Sequence, residues 1–188
     1  RLQGDWSSDV CSSDLFVFNN YDGGEPFAEV VRRAQAEGYT EPDPRLDLSG
    51  LDVARKILIL AREAGYPIEM EDVAIDGFLP DSCLSGSVED FYAEMFRQED
   101  VFKRLLYSAT SEGKILKFIA TLDSGKASIG LRSIGPEHDF ARLSGKDNAV
   151  LFFTSRYSEQ PLVVKGAGAG ADVTAAGVFA DIIRAART

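Results

Sequence analysis

Apolar positions spaced three and four apart recur through the first half of the chain. In residues 25–37, Phe27, Val30, Val31 and Ala34 share one helical face, and Gly38 follows as a stop. Residues 49–64 carry the strongest such stripe, Leu51, Ala54, Leu58 and Ala61, closed by Gly65. Ser87, with Glu89 and Asp90 just behind it, is a suitable N-cap for a helix running to Leu106. Between the first two helices, residues 39–48 read as a loop in which Pro42 and Pro44 bracket Asp43. The pattern then becomes that of strands. Residues 73–79 suggest a short one. Residues 114–122 and 126–134 pair around Asp123, Ser124 and Gly125, a hairpin-type turn. Residues 148–155 and 161–165 read as two further strands, residues 172–187 as a closing helix, and residues 16–19 as the end of an interrupted element. Helices first and mostly antiparallel strands afterwards predict an α+β unit, not a doubly wound sheet.

Composition narrows the function. With 188 residues, 45% hydrophobic and 27% charged, the chain has the balance of one soluble globular domain. It holds 20 Lys and Arg against 30 Asp and Glu, a formal net charge of −10. That argues against a nucleic-acid binder, which needs a basic face, and against a polybasic membrane-surface role. No apolar run approaches the roughly 20 residues of a membrane span. Two Cys and one His supply neither a disulfide framework, nor a structural zinc site, nor a His-based catalytic triad.

Residues 1–15 stand apart from this pattern. They have no helical or strand period, no cationic start and no apolar core, so they do not read as a signal peptide. The stretch from Asp5 to Leu15, DWSSDVCSSDL, reads as a translated sequencing-adapter scar. On that reading it is disordered, and the protein proper enters at about Phe16.

Two segments carry chemistry. The first runs from Gly38 to Lys56, GYTEPDPRLDLSGLDVARK. It packs Glu41, Asp43, Asp47 and Asp52 around a loop stiffened by two prolines and then enters a helix. Asp52 and Lys56 are four apart on one helical face, acid before base. An isolated pair of this kind is ordinarily a surface salt bridge worth a few tenths of a kcal/mol. The carboxylates crowded just before the helix suggest instead an acidic pocket for a small substrate bearing an ammonium group. The lysine would there exchange a proton with an oxygen. The second segment is Gly166-Ala-Gly-Ala-Gly-Ala171, which satisfies a dinucleotide-binding G-x-G-x-x-A pattern literally. Too little chain follows it for the second strand and acidic residue that such a unit needs. It reads either as a close-packed strand-to-helix turn or as a turn letting backbone approach a cofactor held mainly elsewhere. His138 reads as a loop histidine and Cys83 as a partly buried thiol. Lys114, Lys117, Lys126 and Lys146 read as solvated.

Together the two segments resemble the homoserine dehydrogenase family. The first stands as that family's catalytic signature. Arg156-Tyr157, the run from Pro161 to Gly170 and the run from Asp172 to Asp181 look like its C-terminal end. The likeness extends over residues 16–188 and is greatest to the dehydrogenase arm of bifunctional aspartokinase/homoserine dehydrogenases. It implies a catalytic and dimerisation domain, a mixed sheet with helices packed on one face. It also implies the NAD(P)H-dependent, reversible reduction of L-aspartate 4-semialdehyde to L-homoserine, in the pathway to threonine, methionine and isoleucine. Lys56 matches the catalytic proton donor. Glu41 and Asp52 match residues holding the substrate's amino end. Asp47 lies in the same cluster, orienting Lys56 or a water. Gly38 and Gly170 match backbone lining the cofactor, NADPH or NADH. A small-molecule substrate, a homo-oligomer, a cytoplasmic setting and no nucleic-acid or membrane partner are implied too. The family's dinucleotide-binding domain, second lysine and metal-binding loop are expected to lie outside this sequence, which itself offers no metal ligands. The alternative is a truncated dimerisation or scaffold piece with no chemistry of its own.

Overall fold

One sheet, entered first through its middle, backs a layer of helices. The computed structural model describes residues 6–9, 12–145, 147–167 and 171–187. The chain forms β1 (Trp6–Asp9), α1 (Ser12–Asn20), α2 (Phe27–Ala36), α3 (Arg45–Leu48), α4 (Leu51–Glu63), β2 (Ala74–Asp76), α5 (Val88–Arg97) and α6 (Glu99–Thr110). The hairpin β3 (Ile115–Asp123) and β4 (Lys126–Ile134) follows, then β5 (Asp147–Phe152), β6 (Leu162–Ala167) and α7 (Ala171–Ala185). The six strands are ordered β2-β4-β3-β1-β5-β6. β2 runs parallel to β4 and every other neighbouring pair is antiparallel, so the sheet is mixed. The expected α+β class holds.

Strand alternation sorts β3 between two cores. Phe118, Ala120 and Leu122 point into the larger one, where they meet Val53, Ala54, Ile57 and Ala61 of α4, Phe27, Val30, Val31 and Ala34 of α2, and Phe91, Met95 and Phe102. Ile119 joins a smaller cluster with Leu15, Ile134, Phe140, Leu143, Ala149 and Leu151. Phe27 stacks on Phe102 at 4.2 Å between ring centroids, and Phe78 meets Phe118 edge-on at 5.5 Å. The β3–β4 turn has Ser124 at φ 50° and Gly125 at φ 84°, the paired left-handed geometry that a two-residue hairpin requires.

Four expectations need correction. The first concerns residues 1–15, expected to be disordered. Their described part is built into the fold: β1 pairs with both β3 and β5, and Leu15 is fully buried. The slot between two strands is filled by backbone hydrogen bonds, which need no apolar side-chain pattern. The second concerns the helix expected from Ser87 to Leu106, which is two helices broken at Gln98. The break turns α6 so that Glu99 accepts hydrogen bonds from the Phe27 amide (2.8 Å) and the Tyr21 hydroxyl (3.0 Å). Glu99 thereby caps α2, whose N-terminal Pro26 offers no side-chain cap. Third, Leu51 is 40% exposed and outside the α4 core face, because it is the first residue of the helix, following Gly50. Fourth, Lys117 is buried, its ammonium donating to the Asn19 side chain.

Gly50 holds the start of α4 in the left-handed region, at φ +81°, with the Phe118 ring 3.0 Å from where a Cβ would sit. Gly50→Ala is expected to cost about 2 kcal/mol through backbone strain and overpacking together, read by urea unfolding. Removing residues 1–11 strips the strand between β3 and β5 and should lower Tm by several degrees in calorimetry. An unchanged Tm would show that β1 contributes nothing to the fold.

Candidate active site

The site grows out of how α4 is seated. Its core stripe is committed to the sheet, so the residues beside the stripe at its N-terminal end face outward. Asp52 lies in the first turn, where a carboxylate is favoured by the exposed helix amides. One turn on, Lys56 Nζ lies 2.9 Å from Asp52 Oδ2, both side chains about two-fifths exposed. The loop ahead of α4 folds back over this end. Asp47, on α3, accepts the Glu41 backbone N–H at 2.9 Å, and the Thr40 hydroxyl donates to the Glu41 carbonyl at 3.1 Å. Arg45 grips Asp43 through Nε (2.8 Å) and Nη2 (2.7 Å) and donates from Nη1 to the Gly86 carbonyl at 2.9 Å.

At this end of α4 lies a pocket of about 450 Å³ whose walls include Gly38, Glu41, Asp47, Leu51, Asp52 and Arg55. Three predicted carboxylates therefore reach one space. Lys56 is not in its wall; it touches the pocket through Asp52. Arg55 is in the wall, and the sequence reading missed it. Its signal was its place three residues after Asp52 on the same helix. Leu51 contributes an apolar patch, a consequence of its leaving the core. Gly38 has φ +76° and no atom within 4 Å of where a Cβ would sit, so bare backbone borders open space at this edge. That fits the approach of a flat cofactor face. Gly170, expected to line the cofactor's other side, lies outside the described residues.

The electrostatics separate the carboxylates. Burial pushes the Asp47 carboxyl above its ordinary value, and the nearby charges of Glu41 and Asp52 push the same way, against the hydrogen bond from the Glu41 amide. Asp43 goes the other way, held low chiefly by its hydrogen bonds from Arg45. The arrangement is an anionic pocket with a cation at its rim, suited to a ligand that presents an ammonium group inward. Elsewhere, His138 accepts the Phe140 amide at 3.1 Å and caps a short 3-10 turn. Cys83 is fully buried in the larger core. Both are structural.

A carboxyl with a pKa higher in the folded than in the unfolded chain binds more protons when folded, so stability falls as pH rises through that interval. Asp47 thus costs stability at neutral pH. Asp47→Asn keeps an acceptor for the Glu41 amide and removes the charge. Its Tm is expected above that of the parent protein at neutral pH. The difference should shrink as pH falls through the raised Asp47 value and vanish below the ordinary carboxylate range; a pH series of thermal melts reads it.

With this geometry in place, likeness to known proteins is informative. The sequence profile of the family described as "Homoserine dehydrogenase" matches residues 10–183. A bifunctional aspartokinase/homoserine dehydrogenase 2 of Zea mays, described as chloroplastic, is 43% identical over 189 residues, 99% of this chain and 20% of that protein. A bifunctional aspartokinase/homoserine dehydrogenase from Haemophilus influenzae is 41% identical over 170 residues, 90% of this chain and 21% of that protein. Among solved structures, a Candida auris protein of unknown function superimposes with a TM-score of 0.91 at 36% identity, covering 99% of this chain and 54% of that one. The homoserine dehydrogenase of S. aureus shares the fold, with a TM-score of 0.75 at 21% identity over 99% of this chain and 43% of that one. The chain therefore spans about a fifth of these curated relatives and about half of these solved chains. On the profile match and the coverage by these relatives, this chain belongs to the homoserine dehydrogenase family.

Proposed function

We propose that this chain supplies the substrate half of a homoserine dehydrogenase, reducing L-aspartate 4-semialdehyde reversibly to L-homoserine with NADPH or NADH. The observation that carries the reading is the meeting of Glu41, Asp47 and Asp52 at one pocket beside the Asp52–Lys56 ion pair. The substrate's ammonium group is met by Glu41 and Asp52. Leu51 covers its short aliphatic stem. Asp47 holds the loop that carries Glu41 and, through it, the shape of the pocket. A nicotinamide cofactor, when bound, supplies the hydride. Gly38 leaves room for it, and Gly170 is proposed to border it. Lys56 gives a proton to the carbonyl oxygen as that oxygen gains charge in reduction, and takes it back in the reverse direction. Asp52 keeps the Lys56 ammonium aimed from one turn away, which spares the long side chain a search for its position.

The names of the maize and Haemophilus relatives support an aspartokinase domain in the same polypeptide. A place in the pathway to threonine, methionine and isoleucine and a cytoplasmic setting belong to the same proposal, although the maize relative is named as chloroplastic. Cofactor binding mainly through a separate dinucleotide-binding domain is part of the same reading. The second reading, a dimerisation or scaffold piece, rests on one observation. β6 and α7 leave large apolar side chains uncovered, with Val164 54%, Phe179 65% and Ile182 58% exposed.

Steady-state kinetics of the full-length protein decide between the two. Lys56→Ala is expected to lower kcat by ~10²–10⁴-fold with KM changed less, since the ammonium contacts remain. Glu41→Ala should act chiefly on KM, by leaving the substrate's charge unpaired. A Lys56→Ala enzyme with near-normal kcat would remove Lys56 from the mechanism.

A further inference from the structure

The loop carrying Glu41 is suspended from α5, and the link runs through a polar residue of α2, Gln35, which uses both ends of its amide. Its Oε1 accepts from the Tyr92 hydroxyl at 2.8 Å, and its Nε2 donates to the Pro42 carbonyl at 2.9 Å. Pro42 directly follows Glu41. The peptide groups around Glu41 are thus held at three points: its N–H by Asp47, its carbonyl by Thr40, and the next carbonyl by Gln35. Of these three holds, only that from Gln35 comes from outside residues 39–48. A second tie, from Arg45 to the Gly86 carbonyl just before α5, secures the far end of the loop.

The anchor itself is rigid. Ser87 and Asp90 form a reciprocal capping box at the start of α5. Tyr92 is 5% exposed, and the Arg32 guanidinium lies 4.7 Å from its ring centroid. Burial holds its phenol protonated, with a pKa pushed up to about 12, so it stays a donor to Gln35 at all working pH values. The Pro42 carbonyl can only accept, which fixes which end of the Gln35 amide faces it and leaves Oε1 to receive the Tyr92 hydroxyl proton. The NH₂ end is thereby turned towards Pro42.

We propose that Gln35 is a positioning residue for substrate binding, which transmits the fixed position of Tyr92 to the backbone of Glu41. This rests on the reading of Glu41 as the ammonium-binding carboxylate. Gln35 is not in the pocket wall; it sets where the Glu41 carboxylate starts from. The proline between them makes the device effective, because its ring removes one backbone rotation between the held carbonyl and Glu41.

Gln35→Glu tests this with little change of size. It keeps an acceptor for Tyr92 and replaces the donor facing the Pro42 carbonyl with an oxygen that repels it. In the full-length enzyme its KM for aspartate semialdehyde is expected to rise roughly 3- to 10-fold, the worth of one hydrogen bond, with kcat within about twofold. The added negative charge by itself would favour an ammonium group, so a rise in KM reads the lost donor. In this chain without ligand, amide hydrogen exchange at Glu41 should quicken by a similar factor, while α2 and α5 keep their protection and Tm stays near that of the parent. Unchanged KM with unchanged Glu41 exchange overturns the proposal. A general loss of protection across α2 and α5 overturns it too, by making Gln35 merely structural. Glu41→Ala, run in parallel, separates the two readings. If it leaves KM unchanged, the substrate reading of the pocket fails, and the exchange rate at Glu41 still decides whether Gln35 holds the loop.

Discussion

The seating of α4 on β3 is the constraint from which the rest follows. Val53, Ala54, Ile57 and Ala61 are fully buried against a strand that presents Phe118, Ala120 and Leu122. At ~25 cal/mol per Å² of apolar surface removed from water, that contact outweighs any charge pair on the outer side of the same helix. The polar residues therefore do not choose their direction. Asp52, Arg55 and Lys56 face outward because the opposite stripe has no alternative place, and a site at this end of the helix inherits the rigidity of the sheet. Gly50 is what lets the chain enter α4 without pushing the Phe118 ring away.

The loop before α4 solves a different problem. Three carboxylates brought to one pocket repel, and the raised pKa of Asp47 reflects first its burial and then the charges of Glu41 and Asp52. Apolar burial does not hold the tip of this loop; Glu41 and Pro42 are exposed. Hydrogen bonds secure it instead: Arg45 to Asp43 and Gly86, Gln35 to Pro42, Asp47 to Glu41. A binding loop secured by directional bonds to α2 and the start of α5 keeps its geometry while leaving its carboxylates open to a ligand. The stability surrendered in gathering like charges is the usual accompaniment of a binding site.

Lys56 and Arg55 divide the cationic roles by one helical step. Arg55 lines the pocket, and Lys56 meets it through Asp52. A flexible ammonium held by a carboxylate at the pocket's edge is suited to moving a proton, whereas a guanidinium keeps its charge throughout. On the proposed reading, the acid that steadies the lysine also receives the substrate, so that substrate binding and proton delivery would share Asp52.

Much of this was legible along the chain, because much of it is local. A helix stripe, an i,i+4 pair and a two-residue hairpin turn involve only near neighbours, so Val30, Ala54, Asp52–Lys56 and Ser124-Gly125 declare themselves through spacing alone. The gathering of Glu41, Asp47 and Asp52 was also visible, because a short stretch stiffened by two prolines leaves them little room to separate. What the tertiary structure alone decided is long-range. β1 takes its place because β3 and β5 leave a ladder open between them, and backbone pairing is indifferent to side-chain period. The helix from Ser87 breaks at Gln98 because Glu99 is drawn to an amide 72 positions earlier. Leu51 leaves the core stripe because it is the first residue of its helix, beside the pocket. Lys117 goes inside because Asn19 is there to receive it. Gln35 and Tyr92 stand 57 positions apart, and a hydrogen bond between two ordinary polar side chains has no sequence period to announce it. Local geometry is written in spacing, whereas contacts between distant segments exist only once the core has brought those segments together.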